Sequence, residues 1–377
     1  MPQDLDALET PALLLDRAVL ERNCSRMSIR MREAGVSLRP HLKTAKSRDV
    51  ARLATQGHSG AVTVSTLAEA RHFLDGGFTD ILYAVGMVPA KAPAAAALQR
   101  AGAKLTLILD NAAAAQALGQ AAAELGAHFP ILIEIDSGGG RAGVLPESSE
   151  VLEVAAAIEA QMSLELAGVM THAGHSYHCR GAAEIAQVAE AERRALVQAA
   201  ERLRQNGHAC SVVSAGSTPT AVHAARFDGL TEMRPGVYVF NDLDQVGIGS
   251  CGPEDLALSV LASVIGHNRR TQRILIDAGA LALSKDVSAQ EFFQNIGYGR
   301  ICDLSGRPLP GLYVESVHQE HGLVASCEGE PPYDAFPVGS KLRILPNHAC
   351  ITAAAYTHYE VLRDRQPIER WERVNGW

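Results

Sequence analysis

Side chains able to do chemistry fall in a few short runs of this 377-residue chain. Lys43 stands in Arg39-Pro40-His41-Leu42-Lys43-Thr44-Ala45-Lys46. Arg141 follows the turn from Asp136 to Gly140. His172 lies in Thr171-His172-Ala173-Gly174-His175, with Tyr177 just beyond. Ser214-Ala215-Gly216-Ser217-Thr218 and Arg234-Pro235-Gly236-Val237-Tyr238 bring glycines, hydroxyls and a phenol. His348 and Cys350 are two residues apart near the C-terminus. A lysine amine can condense with a carbonyl. Amides and hydroxyls at a Gly/Ser turn can hold an anion. An imidazole and a thiolate on one side of an extended segment can share a metal. Each feature also has an ordinary structural reading. A lysine is usually a solvated charge, and Lys46, expected to begin a helix, fits that better than Lys43. Arg141 can be a rim ion-pair partner, His172 a core histidine, and Ser217-Thr218 a helix cap. Cys350 can pack as a small hydrophobe beside a structural His348.

What separates these readings is where the elements put the residues. Short Val/Ile/Leu runs alternate with longer Ala/Glu/Arg/Leu stretches of helical period. The runs are Ser37 to Lys43, Ala61 to Thr66, Ile81 to Val85, Lys104 to Asp110, Pro130 to Asp136, Leu166 to His172, Ser211 to Ala215 and Glu232 to Phe240. Stretches such as Asn111 to Leu125 and Ala182 to Gln205 read as helices. Eight β-then-α units over roughly 210 residues predict an α/β fold, a (β/α)8 TIM barrel. A doubly wound sheet fits less well, because no GxGxxG follows the first strand and Gly138-Gly139-Gly140 lacks that spacing. After about Ser250 the long helices give way to strand-like runs: Ala257 to Gly266, Arg273 to Asp277, Gly311 to Val317, Gly322 to Ala325 and Lys341 to Leu345. The expected organisation is a barrel over 12–250, including an N-terminal helix, then a mostly antiparallel β domain over 251–377. The turn Gly252-Pro253 marks the boundary, and the first 11 or so residues are free to pack with the β domain.

Chemistry in a barrel sits at the C-terminal ends of its strands. Lys43, Arg141, His172, Tyr177 and the two Gly/Ser turns all fall there. Phosphate sites in barrels often follow strands seven and eight, where Gly216, Ser217, Thr218 and Gly236 stand. A lysine across the mouth from a phosphate cradle suits pyridoxal 5'-phosphate, which also needs a partner for its ring nitrogen.

Composition narrows the class. Hydrophobic residues are 47% and charged residues 20%, enough for a large core. A net charge of −8 and 5% aromatics argue against nucleic-acid binding. No apolar run reaches the ~20 residues of a membrane span. Seven well-spaced cysteines without a CxxC pair argue against a disulfide framework. Met1 to Glu9 carries no signal-peptide pattern, so a cytoplasmic location is expected.

Three runs together carry a resemblance: Arg39-Pro40-His41-Leu42-Lys43-Thr44, Ser214-Ala215-Gly216-Ser217-Thr218-Pro219-Thr220, and Leu345-Pro346-Asn347-His348-Ala349-Cys350. In this order, over nearly the whole chain, they resemble the D-serine dehydratase and D-threonine aldolase family. These are pyridoxal-phosphate enzymes of the alanine-racemase-like fold, a barrel followed by a β domain. Gly297-Tyr298-Gly299, Gln319-Glu320-His321-Gly322, Trp371-Glu372-Arg373 and the final Gly376-Trp377 resemble the branch acting on D-threo-3-hydroxyaspartate.

The resemblance implies that Lys43 is the Schiff-base lysine and that Arg141 faces the cofactor ring nitrogen. Tyr177 and Tyr238 would contact the cofactor, and His172 would orient neighbouring groups. It implies that His348 and Cys350 hold one divalent metal, Zn²⁺ or Mn²⁺. The expected reaction takes a D-3-hydroxy amino acid to a 2-oxo acid and ammonia, with Lys43 removing the α-proton and the metal assisting loss of hydroxide. Retro-aldol cleavage to glycine and an aldehyde is the rival. A non-catalytic cofactor carrier would need neither the β domain nor the His348/Cys350 pair. The aldolases typically have aspartate as second metal ligand, so Cys350 leans towards the dehydratase. His318, His321 and Arg300 are candidates to bind a second substrate carboxylate. The family likeness also implies a homodimer.

Overall fold

The structure, a computed structural model, describes residues 4–364 and 366–377. The chain divides into two compact units. One takes the residues up to Cys24 with Val237–Arg373; the other takes Ser25–Gly236 with Val374–Trp377.

The second unit is the expected barrel. Its strands are Ser37–Leu38, Val62–Val64, Asp80–Gly86, Lys104–Leu109, Phe129–Glu134, Leu164–Met170, Val212–Ala215 and Glu232–Met233, all parallel. The last pairs with the first, Glu232 opposite Ser37. The seam between the first and second strands is closed by a parallel bridge, His41 to Thr63. The first and last strands are shorter than their apolar runs suggest. Pro40 and Pro235 follow them, and a proline has no N–H to extend a ladder.

Local chemistry explains the helices. Ala112–Glu124 is almost all strong helix formers, and the Asn111 side chain caps it by accepting from Ala114 N at 2.8 Å. Its buried face is Ala115, Leu118, Gly119 and Ala122, one stripe at helical spacing. Ala182–Gln205 buries Ile185, Ala189, Leu196, Ala199 and Leu203, and within the same stripe it buries Glu192. Inside the strands, Leu82, Ile108, Leu132 and Met170 form one buried cluster.

The other unit is built on a nine-stranded sheet. Its order is Arg273–Ile276, Gly322–Ser326, Pro308–Val317, Arg300–Cys302, Lys341–Leu345, Leu258–Asn268, Ala12–Asp16, His358–Arg363 and Gln366–Glu372. Leu258–Asn268 also pairs with Arg273–Ile276, so the first six strands close into a ring. All pairs are antiparallel except Ala12–Asp16 with His358–Arg363.

Two boundaries differ from the sequence expectation. The break falls at Gly236/Val237, not at Gly252-Pro253, and the stretch from Ala12 to Cys24 belongs with the β unit. The reason is pairing: Ala12 lies opposite Leu261, and Leu14 opposite Glu360. Leu5 and Leu8 pack in one cluster with Leu14, Leu261 and Leu362. Among the described residues no helix is long and apolar enough to cross a membrane.

Candidate active site

The barrel unit holds a cavity of about 290 Å³ lined by Lys43, Arg141, His172 and Gly216, together with His41, Glu134 and Arg234. Lys43 lies in the turn after the His41 bridge and is exposed. Among the described residues no side-chain hydrogen bond or ion pair ties down its Nζ. Lys46, three residues on, is not a solvated charge. Its Nζ lies 3.2 Å from the buried Glu69 carboxylate, and the next helix begins only at Arg48.

Arg141 is two-thirds exposed and reaches Glu134 at 3.8 Å. Asp136 shapes the turn that carries it, accepting from Gly138 N at 2.8 Å and Gly140 N at 3.1 Å. Burial pushes the Glu134 carboxyl above its ordinary range, against the pull of Arg141. Arg234, which sequence reasoning named only as part of its strand, is a second guanidinium on the cavity, and it is buried. It donates to Ser214 Oγ and to the Thr171 carbonyl. Ser214 Oγ donates to Glu232, which also receives Arg39 Nε at 2.8 Å. Arg234 is thus held in a network that runs through Ser214 and Glu232 to Arg39.

His172 Nδ1 lies 3.0 Å from the Gly216 carbonyl. A carbonyl can only accept, so Nδ1 carries the proton and Nε2 is the ring's acceptor. Burial, with the charge of Lys43 adding to it, lowers the His172 pKa to about 3. The imidazole is therefore neutral at ordinary pH. His41 is held below its usual range by the same two causes.

The remaining expected cofactor contacts do not line this cavity. Tyr177 sits in the short turn Gly174–His178, its ring centroid 6.3 Å from that of His172. Ser217 caps Thr218–His223 in a reciprocal box with Thr220, and its hydroxyl meets Ser176 Oγ at 2.8 Å. Gly216 N donates to Glu192 Oε1 at 3.1 Å, Ser217 N to Thr220 Oγ1 at 3.0 Å, and Gly236 N to Thr218 Oγ1 at 3.3 Å. These amides are engaged with side chains. Tyr238 belongs to the β unit, buried in the turn Val237–Val239.

The barrel residues suit an anionic aldehyde. They offer an accessible amine, two guanidinium groups and a wall without side-chain bulk. Gly216 has φ +120°, and a Cβ there would lie 2.9 Å from Arg234 N. A second cavity of about 320 Å³ shares Glu134, Arg141, Ala142 and His172 with the first and adds His175 and His178.

In the β unit, His348 and Cys350 are not on a strand. His348 is the extended N-cap of the short helix Ala349–Ala353, and Cys350 is in its first turn. The i, i+2 alternation of a strand therefore does not bring them together. The helix start does, and the two side chains hydrogen-bond. His348 Nδ1 lies 2.8 Å from Asp286 Oδ2. Burial alone would lower the His348 pKa, but bonds to Asp286 and Cys350 raise it to about 11. Asp242 secures the segment by accepting from Ala349 N at 2.8 Å. Among the described residues no group of three or more His, Cys, Asp or Glu is arranged to hold a metal. A soft thiolate and an imidazole fit a borderline divalent cation, with further positions left to water and substrate. Asp286 orienting the imidazole is the outer-shell partner such a ligand needs. Nothing in the sequence pointed to it.

His318 and His321 form the turn before Gly322–Ser326, His318 N donating to His321 O at 2.8 Å. Arg300 lies over the Phe293 ring at 5.9 Å.

Comparison with known proteins fits both halves. Residues 15–244 match the family described as alanine racemase, N-terminal domain, and residues 257–362 the family described as putative serine dehydratase domain. The chain is 46% identical to D-threo-3-hydroxyaspartate dehydratase from Delftia sp. HT23, covering 100% of both chains, with a TM-score of 0.96. A solved cysteine-to-alanine variant of an enzyme of that name, in the metal-free form, superposes equally well. A histidine-to-alanine variant has also been solved, and its changed histidine is two residues from that cysteine, the spacing of His348 and Cys350. D-serine dehydratase from Dictyostelium discoideum is 30% identical over 99% of this chain and 98% of its own length. The structure of D-threonine aldolase from Filomicrobium marinum is 27% identical, covers 98% of this chain and 96% of that one, and has a TM-score of 0.83.

Proposed function

Since the chain belongs to the pyridoxal-phosphate-dependent family that joins an alanine-racemase-like barrel to a serine dehydratase domain, we propose that it is a metal-dependent dehydratase of D-3-hydroxy amino acids. It releases ammonia and a 2-oxo acid from D-threo-3-hydroxyaspartate, D-serine or both. The observation that carries this reading is the cavity on which the Lys43 amine meets Arg141, His172, Gly216 and Arg234.

When bound, pyridoxal phosphate supplies an electron sink for negative charge developing at the substrate Cα. Lys43 Nζ would hold it through its aldehyde, and the same amine is placed to take the proton from the substrate Cα. Arg141 is assigned to the ring nitrogen. A guanidinium does not give up a proton, so the sink is weaker than one paired with a carboxylate. His172, neutral and fixed through Gly216, adds no positive charge beside Lys43. A divalent ion, Zn²⁺ or Mn²⁺, on His348 and Cys350 would supply the Lewis acidity that makes hydroxide a tolerable leaving group.

Retro-aldol cleavage is the rival because aldolases are among the relatives, at 30% identity or less. The 46% identity to a dehydratase and the thiol at position 350 favour dehydration. A homodimer belongs to the same proposal, supported by the family likeness. The test is product identity. Ammonia and oxaloacetate from D-threo-3-hydroxyaspartate, lost on chelation and restored by Zn²⁺ or Mn²⁺, are expected; glycine and glyoxylate overturn the reading.

A further inference from the structure

We propose that Glu192 is a positioning residue of the Lys43 cavity: its buried carboxylate fixes the turn at Gly216 and, through the Gly216 carbonyl, holds His172 in one tautomer. Glu192 is only 2% exposed, set among Ala189, Leu196 and Ala199 on the inner stripe of Ala182–Gln205. An acid there is costly unless its oxygens are used. They are. Oε1 accepts from Ala173 N at 3.0 Å and from Gly216 N at 3.1 Å, and the Thr220 side chain bonds the carboxylate as well.

The two amides follow different strands, Ala173 after Leu164–Met170 and Gly216 after Val212–Ala215. His172 precedes Ala173, and its Nδ1 donates to Gly216 O at 3.0 Å. A closed circuit results: carboxylate to Gly216 amide, Gly216 carbonyl to imidazole, imidazole through the backbone to the Ala173 amide, and back to the carboxylate. Gly216 can occupy its place because it is glycine, with φ +120°. Both Gly216 and His172 line the cavity that carries Lys43. A tautomer change would set the Nδ1 lone pair against the Gly216 carbonyl and turn an N–H, in place of a lone pair, towards the cavity. Burial raises the Glu192 carboxyl above its ordinary range, while the bonds from Ala173, Thr220 and Gly216 and the charge of Arg234 oppose it. Both amides converge on Oε1, so the position of that oxygen is what ties the two turns together. The consequence for pyridoxal phosphate affinity rests on the cofactor reading above; the consequence for His172 does not.

Two variants separate position from charge. Glu192→Gln keeps an oxygen where Oε1 accepts both amides and loses the charge. Glu192→Asp keeps the charge and withdraws the carboxylate by one methylene. The readouts are the His172 ring-nitrogen shifts in the ¹⁵N-histidine-labelled, cofactor-free full chain, assigned with His172→Gln, and the affinity for pyridoxal phosphate. Glu192→Gln should keep the Nδ1–H tautomer and an affinity within about threefold of the parent. Glu192→Asp should show mixed tautomers and an affinity lower by about tenfold or more. A parent-like tautomer and affinity in Glu192→Asp, or an equal loss in both variants, overturns the proposal. Neither readout requires turnover, so both stand independently of the reaction assigned above.

Discussion

The Asp286 carboxylate orients the His348 imidazole, Oδ2 standing 2.8 Å from Nδ1. This leaves Nε2 as the nitrogen able to bind a metal beside the Cys350 thiolate. Outer-shell partners of this kind are worth about 10- to 100-fold in metal affinity. Asp286→Ala should therefore weaken Zn²⁺ or Mn²⁺ binding by that range, measured by competition with a chromophoric chelator. Unchanged affinity would show that Asp286 is not a ligand-orienting group.

Lys43 is the accessible amine of the cavity. Reconstitution with pyridoxal phosphate should give the visible band of a lysine-bound cofactor, and Lys43→Ala should abolish it. Because the side chain is exposed, the variant should keep its stability within about 0.5 kcal/mol. A persistent band would move the attachment to another lysine.

The two arginines of the cavity should fail in different ways. Arg141 is two-thirds exposed, with one loose ion pair, so Arg141→Leu should change stability by at most about 1 kcal/mol while lowering turnover at least tenfold. Arg234 is buried, and its loss removes the guanidinium donor from the Ser214 hydroxyl and the Thr171 carbonyl. Arg234→Leu should cost about 3–5 kcal/mol in urea unfolding. Equal destabilisation by both variants would contradict this division.

His172 gives a pH dependence with a definite sign. Its folded pKa is about 3 against an ordinary 6.5, so between these values the unfolded chain takes up a proton that the folded chain refuses. Its share of stability is complete above pH 6.5 and is lost as pH falls towards 3. Between pH 6.5 and 5 the parent should lose roughly 1–2 kcal/mol more than His172→Gln. Parallel curves for the two proteins would show that His172 is not buried neutral.

The barrel was legible because most of its strands are apolar runs followed by helices, and Lys43 because it stands at the end of such a run. What was not legible depends on distant pairing. Ala12–Asp16 reads as the start of the helix that follows, since its partners begin at Leu258 and His358. Pro40 and Pro235 cut two strands short and turn the chain across the cavity. At the site, Arg234 resembles any strand arginine in sequence, and only the fold brings it to the same cavity as Arg141. Asp286 is 62 residues from His348 and marked by no motif. Glu192 left one sequence signal, an acid in the apolar stripe of a long helix. The spacing of His348 and Cys350 was informative, although a helix start and not a strand brings the pair together.

The assignment as a dehydratase is tested most directly by product analysis of the cofactor- and metal-loaded protein with D-threo-3-hydroxyaspartate, D-serine and D-threonine. The account predicts ammonia in step with oxaloacetate or pyruvate from the first two, and no glycine. Glycine with glyoxylate from the first, or with acetaldehyde from D-threonine, as the main products would contradict it.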